Sequence, residues 1–326
     1  EKELGKGSFV KRSGWLFLAK LVPTLTFLII TIIYSRQLSF EDYGIFQSVW
    51  MLSNVSVVIL GFGVYSVLLS SGIHSLIRLV KSKPWQFAAF YLLLLILSAG
   101  IIFSSLSAQS LSLRLLILGV VIIHTVSFIY ESLLIRCRKE TSIFLVNLAY
   151  AGFYFGWHLY VLYAGFDILL LVTGVLVLGF VRLIVYSILS QKVVDEKSDL
   201  KTPVRHWFFI GLNEVVGVFA KWLDKLLLIY FITPAEFAIF FNGSIEIPLF
   251  GIIISVIGSL LLVDVAANLS KKEKVIQLFR ETFLLLSNIV FPLFWFLFFF
   301  SEEIFHVVFN NRYNASKTIF LLSILI

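Results

Sequence analysis

The sequence predicts an all-α polytopic membrane protein, with about ten transmembrane helices out of at least twelve in two parallel six-helix repeats. Three observations predict the class. Of 326 residues, 60% are hydrophobic and 14% charged, against roughly 45–50% apolar and about 25% charged in a soluble domain. A globule of this length could not hide that much apolar surface from water. Apolar runs recur at the length a bilayer requires, about 20 residues. None alternates apolar with polar residues as barrel strands must.

In chain order, the first span is 14–34, which carries one internal charge, Lys20. The next four, at 43–77, 84–113, 115–130 and 141–166, contain no Lys, Arg, Asp or Glu. The sixth and seventh, 168–190 and 207–231, hold isolated charges. The eighth and ninth, 247–263 and 282–301, are again charge-free, and a tenth begins at Ala315. Met51 is the sole methionine and the final apolar stretch is short, so both ends are expected to be trimmed. The basic start leads into a span without a small-residue cleavage pattern, so no signal peptide is read.

Eighteen of the 26 Lys and Arg residues fall in five stretches on one side, at 2–12, 78–83, 136–139, 192–205 and 271–280. Only Arg36, Arg114, Arg312 and Lys317 lie opposite. Cytoplasmic loops accumulate basic residues, so the amino terminus is predicted to be cytoplasmic. The net charge of +7 is then a topology signal, and nucleic acid is not an expected partner; anionic lipid head groups are. One cysteine, Cys137, excludes a disulfide framework. No P-loop, dinucleotide fingerprint or HExxH helix occurs, and no connector is long enough for a catalytic domain.

The octets SFEDYGIF (39–46) and TPAEFAIF (233–240) pair residue by residue at an offset of 194. Each follows a charge-bearing span, and an even number of spans separates them, so the repeat is parallel. The expected division is a first six-helix lobe over 1–190, a cytoplasmic linker over 191–206, and a second lobe over 207–326 that stops in its tenth helix. The offset places Lys20 opposite Glu214.

The run AKWLDKLLLIYFITPAEFAIFFNGSIEIP (220–248) resembles the start of the second half of polysaccharide lipid flippases, the O-antigen branch of the multidrug/oligosaccharidyl-lipid/polysaccharide (MOP) exporter superfamily. IYSRQLSFEDYGIFQSV (33–49) is similar to that family's first outer turn. The stretch 279–316 resembles its ninth span and following turn. Ala238 stands where the family usually has glycine, and Asn310-Asn311-Arg312-Tyr313 replaces a usual phenylalanine-glycine start. The resemblance implies a MATE-like, V-shaped arrangement of the repeats and a bacterial inner-membrane flippase for undecaprenyl-pyrophosphate-linked oligosaccharide, a repeat unit of O-antigen, lipopolysaccharide, capsule or exopolysaccharide. It also implies a polysaccharide polymerase and a chain-length regulator as partners, no resident cofactor, and a proton or sodium gradient as driving force.

An ionisable group at span depth costs about 2.5–3.5 kcal/mol on insertion scales, so it tends to face a cavity or a partner. At about 100° per residue, Glu214, Lys221 and Lys225 fall within about 40° on one face of the seventh span, with Asp224 about 80° away. Lys20, Lys221 and Arg182 are the expected pyrophosphate ligands. Asn54 and Asn213 are candidate partners for sugar hydroxyls, with interhelical bonding as the alternative. Glu214, Asp224 and Glu246 are the candidate ion-coupling acids, although Asp224 could equally be locked to Lys221 or Lys225, and Arg182 could reach toward a membrane face. Rival readings are a multidrug exporter of the same superfamily and a membrane-embedded polymerase or glycosyltransferase. Lys20 suits an anion better than a cationic drug, and the outer acids are too sparse for the latter enzymes.

Overall fold

The computed structural model describes residues 6–191, 204–244, 248–309, 312–313 and 315–325. Thirteen helices and no strand occur among them. Six are long and apolar enough to cross a membrane: Gly14–Gln37, Phe40–His74, Pro84–Ser105, Leu111–Arg136, Ile168–Gln191 and Lys272–Phe296. The large apolar side chains on these helices stay exposed, as Leu93 at 60% and Phe283 at 69% show. Patches of that extent need lipid to cover them. Trp85, Tyr163 and Phe231, at 86%, 77% and 81% exposure, sit at span ends where amphipathic rings favour the head-group level. The chain is a multi-pass membrane protein.

The helices are α1 (Lys6–Gln37), α2 (Phe40–Gly61), α3 (Val64–Ser82), α4 (Pro84–Ser105), α5 (Leu111–Arg136), α6 (Glu140–Tyr163), α7 (Ile168–Gln191), α8 (Val204–Leu228), α9 (Pro234–Gly243), α10 (Pro248–Ala267), α11 (Lys272–Phe299), α12 (Ser301–Phe309) and α13 (Ser316–Leu325). The expected loops at 78–83 and 270–280 are largely helical, because α3 runs on to Ser82 and α11 begins at Lys272. The stretch after the ninth span, expected as a turn, forms the nine-residue helix α12. Most of the linker expected over 191–206 lies outside the described residues, as does Glu246.

The octet repeat has a physical cause. Ser39 Oγ accepts from Asp42 N at 3.0 Å and donates to the Asp42 carboxylate at 2.6 Å at the start of α2. Thr233 and Glu236 form a complete capping box at the start of α9. Such pairs satisfy amides that the first turn of a helix leaves without intrahelical partners. The two octets are therefore the same start signal used twice.

The chain packs as two compact units, 1–47 with 231–326, and 48–230. In the first, α1 packs on α10 and α12, and α9 packs on α13. Arg36 at the end of α1 donates to the Val307 carbonyl at 2.6 Å, near the end of α12. Arg312, beyond α12, donates to the Ser35 and Leu38 carbonyls at 2.9 and 2.6 Å. Each arginine thus satisfies carbonyls at the end of the other's helix, where the dipole favours a cation.

In the second unit α5 packs on α7 and α3, α6 packs on α7, and α8 packs on α3. Gly174 admits the Trp157 indole, and Gly179 meets Ile123 and His124. Small residues let membrane helices approach closely where no hydrophobic effect drives them together. The first helix of each repeat accordingly packs on a helix from the other repeat: α1 on α10, α8 on α3.

Candidate functional site

The apolar run 43–77 read as one uninterrupted span, but the chain interrupts it at Phe62–Gly63 and kinks it again at Gly72, where φ is 77°. Phe62 and Gly63 have φ of 30° and 74°, left-handed values that end α2 and restart the chain as α3. Glycine adopts that conformation freely, whereas for Phe62 it is strained. The break needs an external clamp, and α8 supplies it.

Three residues at turn spacing on α8 form that clamp. The Trp207 ring lies against Phe62, Phe87 and Phe90, with centroids at 5.5, 4.6 and 5.4 Å. Gly211 follows; a Cβ on Gly63 would meet its backbone nitrogen at 2.7 Å, and a Cβ on Gly211 would enter the Phe62 ring. One turn further, the half-buried Glu214 carboxylate accepts from Gly63 N at 2.9 Å and from Ser66 Oγ at 2.5 Å. These donors lie at the amino end of α3, where a negative charge is favoured. Beyond α8, the Tyr230 hydroxyl meets Ser104 Oγ at 2.8 Å and Ser105 Oγ at 2.9 Å.

Further along α8, Lys221 is exposed, with its ammonium 5.6 Å from the Trp222 ring centroid. Trp222 packs edge-on against Trp50 of α2 at 5.8 Å. Asn54, one turn beyond Trp50, is exposed and donates to the Trp50 carbonyl at 2.8 Å. A cation, two indoles and an exposed amide thus occupy neighbouring turns of α2 and α8. Asn213 is also exposed on α8.

Helical angle alone placed Lys225 on the same face as Lys221, but packing separates them. Lys225 is 5% exposed, and its ammonium pairs with Asp224 at 3.2 Å and lies over Trp222. Asp224 therefore neutralises a buried lysine, a duty that holds it in place.

Arg182 neither reaches a membrane face nor joins Lys221. It donates to Glu131 at 2.9 Å, with the two side chains 12% and 6% exposed, and lies over the Tyr150 and Tyr186 rings at 5.0 and 5.1 Å. Tyr186 donates to Asn147 at 2.8 Å, which ties α5, α6 and α7 through one buried network. A guanidinium so committed braces three helices. Glu131 escaped sequence reading because it stands just past a charge-free run, where it passes for a span-end charge. An acid in IYESLLIRCR, five residues before the first loop arginine, is still about one helical turn inside the span.

Lys20 is half-buried on α1 in the other compact unit, and its carbonyl accepts from Thr24 Oγ1 at 2.8 Å.

The thirteen helices among the described residues form a MATE-like fold. Two solved structures bear this out: an outward-facing conformation of a multidrug resistance MATE family transporter of the MOP superfamily has a TM-score of 0.60 at 15% identity, over 97% of this chain and 77% of that one. An inward-facing conformation of such a transporter has a TM-score of 0.51 at 14% identity, over 95% of this chain and 79% of that one. Identity this low speaks for the fold alone. The model of the polysaccharide biosynthesis protein family matches residues 33–318, and the chain belongs to that family. No curated protein matches it.

Proposed function

We propose that the chain is a flippase, which carries undecaprenyl-pyrophosphate-linked oligosaccharide from the cytoplasmic to the periplasmic leaflet of a bacterial inner membrane by ion-coupled alternating access. The observation that carries this reading is the group on α2 and α8, where exposed Lys221 stands beside the Trp50–Trp222 pair and Asn54. Pyrophosphate calls for a cation, and sugar rings call for an aromatic face with a hydrogen-bonding amide beside it. Lys20 is a second candidate cation, on α1. No covalent step is involved; membership of the family and the transporter fold support the same reading.

Coupling falls to Glu214, whose carboxylate fastens α8 to a break in a neighbouring span. Asp224 and Arg182 serve the scaffold. The structural neighbours are multidrug resistance transporters, so a drug exporter is the second reading, and the test separates the two. Translocation of a fluorescent pyrophosphate-linked oligosaccharide in proteoliposomes should fall about tenfold or more in Lys221→Ala, the worth of one charge-assisted contact, with partial retention in Lys221→Arg. Wild-type rates in both Lys20→Ala and Lys221→Ala would overturn the flippase reading. Gradient-driven efflux of a cationic dye without glycan translocation would install the exporter in its place.

A further inference from the structure

We infer that Glu214 is a latch released by a proton: charged, it clamps α8 onto the break between α2 and α3; neutral, it lets α8 go. The inference rests on the coupling role proposed for Glu214 and adds which ion it takes and what that ion does.

Both carboxylate oxygens are already engaged, one by the Gly63 amide and one by the Ser66 hydroxyl. An ionised carboxylate accepts only, and two donors at the start of a helix suit that form. Protonation puts an O–H on one oxygen. The Ser66 hydroxyl turns to accept that proton, so both contacts become weaker bonds between neutral groups, and the attraction between the charge and the amino end of α3 disappears. Besides these, the contact is Gly63 against Gly211, a close backbone approach with no side chain of its own to hold it, and the Trp207 aromatic packing one turn away. The switch therefore works on the middle of α8, between the Trp207 packing and the Trp50–Trp222 contact.

The same geometry selects the ion. A hard metal cation needs a shell of oxygen acceptors, whereas a backbone N–H turned toward this carboxylate presents its hydrogen to any such cation. A proton needs one lone pair. The titratable groups facing Glu214 are Tyr65 of α3 and Tyr91 of α4. No second carboxylate from these elements stands ready to complete a metal shell among the described residues.

The strain at Phe62 gives the release a direction. A non-glycine residue held at φ of 30° stores backbone strain that the surrounding contacts must maintain. Loosening α8 removes one of those contacts, so the break in the second span is free to change shape when the latch opens.

The test uses the chain in liposomes with two readouts. Difference infrared spectroscopy on acidification should show the carbonyl band of a protonated carboxylic acid in the wild type and lose that band in Glu214→Gln. In Ser66→Ala, which removes a donor to the charged form, the band should appear about one pH unit higher, a tenfold gain in proton affinity for one lost hydrogen bond to a charged group. In parallel, an imposed pH gradient should drive translocation of pyrophosphate-linked oligosaccharide, and a sodium gradient at equal pH should not. Sodium-driven translocation that Glu214→Gln abolishes would overturn the proton latch and keep Glu214 as the coupling acid. Undiminished gradient-driven translocation by Glu214→Gln would instead overturn the coupling role. An unshifted band in Ser66→Ala would show that the hydroxyl does not hold the carboxylate, and would sink the latch independently of transport.

Discussion

The two lead helices, α1 and α8, occupy equivalent places in the repeat and are fastened by opposite chemistry. α1 is held at one end by guanidinium groups: Arg36 on the carbonyls of α12, Arg312 on those of α1. Arginine keeps its charge at every accessible pH, so that clasp has no protonation switch. α8 is held in its middle by the Glu214 carboxylate on the amide of Gly63 and the hydroxyl of Ser66, an attachment whose charge a single proton removes. Sequence repetition has thus placed two similar helices on unlike fastenings. One serves as a fixed post and the other as a moving part.

A moving α8 needs a rigid bed, and the largest effect is expected there. Glu131→Ala leaves the Arg182 guanidinium buried without its counter-charge, so it should destabilise the protein by about 3–5 kcal/mol, while Glu131→Gln with Arg182→Met should be much milder. Thermal unfolding in detergent measures both. If the double substitution is as damaging as the single one, the network is not a charge brace.

The clasp on α1 comes next. Arg312→Ala removes two charged hydrogen bonds to backbone carbonyls and should lower stability by about 1.5–3 kcal/mol, with the same loss at pH 5 and pH 8. A loss that changed over that interval would make the α1 attachment titratable too, and the contrast with α8 would fail.

The smallest effect belongs to the helix starts. Thr233→Ala should cost about 1 kcal/mol at neutral pH. The Glu236 carboxyl is held below its usual range by hydrogen bonds from the Thr233 backbone and side chain. A group with a depressed folded pKa contributes stability that is present above its unfolded value and lost as pH falls through the folded value. The difference between Thr233→Ala and the wild type should therefore shrink on acidification, as equilibrium unfolding at several pH values would show.

These cases also mark what could be read before the structure. Membrane class and the two helix starts were legible, because apolar run length and the Ser39–Asp42 and Thr233–Glu236 start signals are local. The break at Gly63 was hidden inside the unbroken apolar run 43–77, although GFG at 61–63 is the signal that could have found it. Helical angle identified Glu214 and Lys221 as a stripe, but it could not tell that Lys225 is buried against Asp224, because burial depends on which neighbour covers that turn. Arg182 was legible as a costly charge and not as a brace, since its partner Glu131 lies 51 positions away on another helix. That α1 and α8 each pack on a helix of the other repeat is a property of long-range contacts that periodicity does not encode.

Paired spin labels test the contrast between the two lead helices most directly. One pair would sit on α8 and α3, flanking Glu214, and a second on α1 and α12, flanking the arginine clasp, in the chain carrying Cys137→Ser and embedded in liposomes. Pulsed dipolar spectroscopy across a pH titration should show the α8–α3 distance distribution shifting to longer values on acidification, at a midpoint that moves upward in Ser66→Ala, while the α1–α12 distribution stays fixed. A fixed α8–α3 distance across the titration, or equal movement of both pairs, would contradict the account.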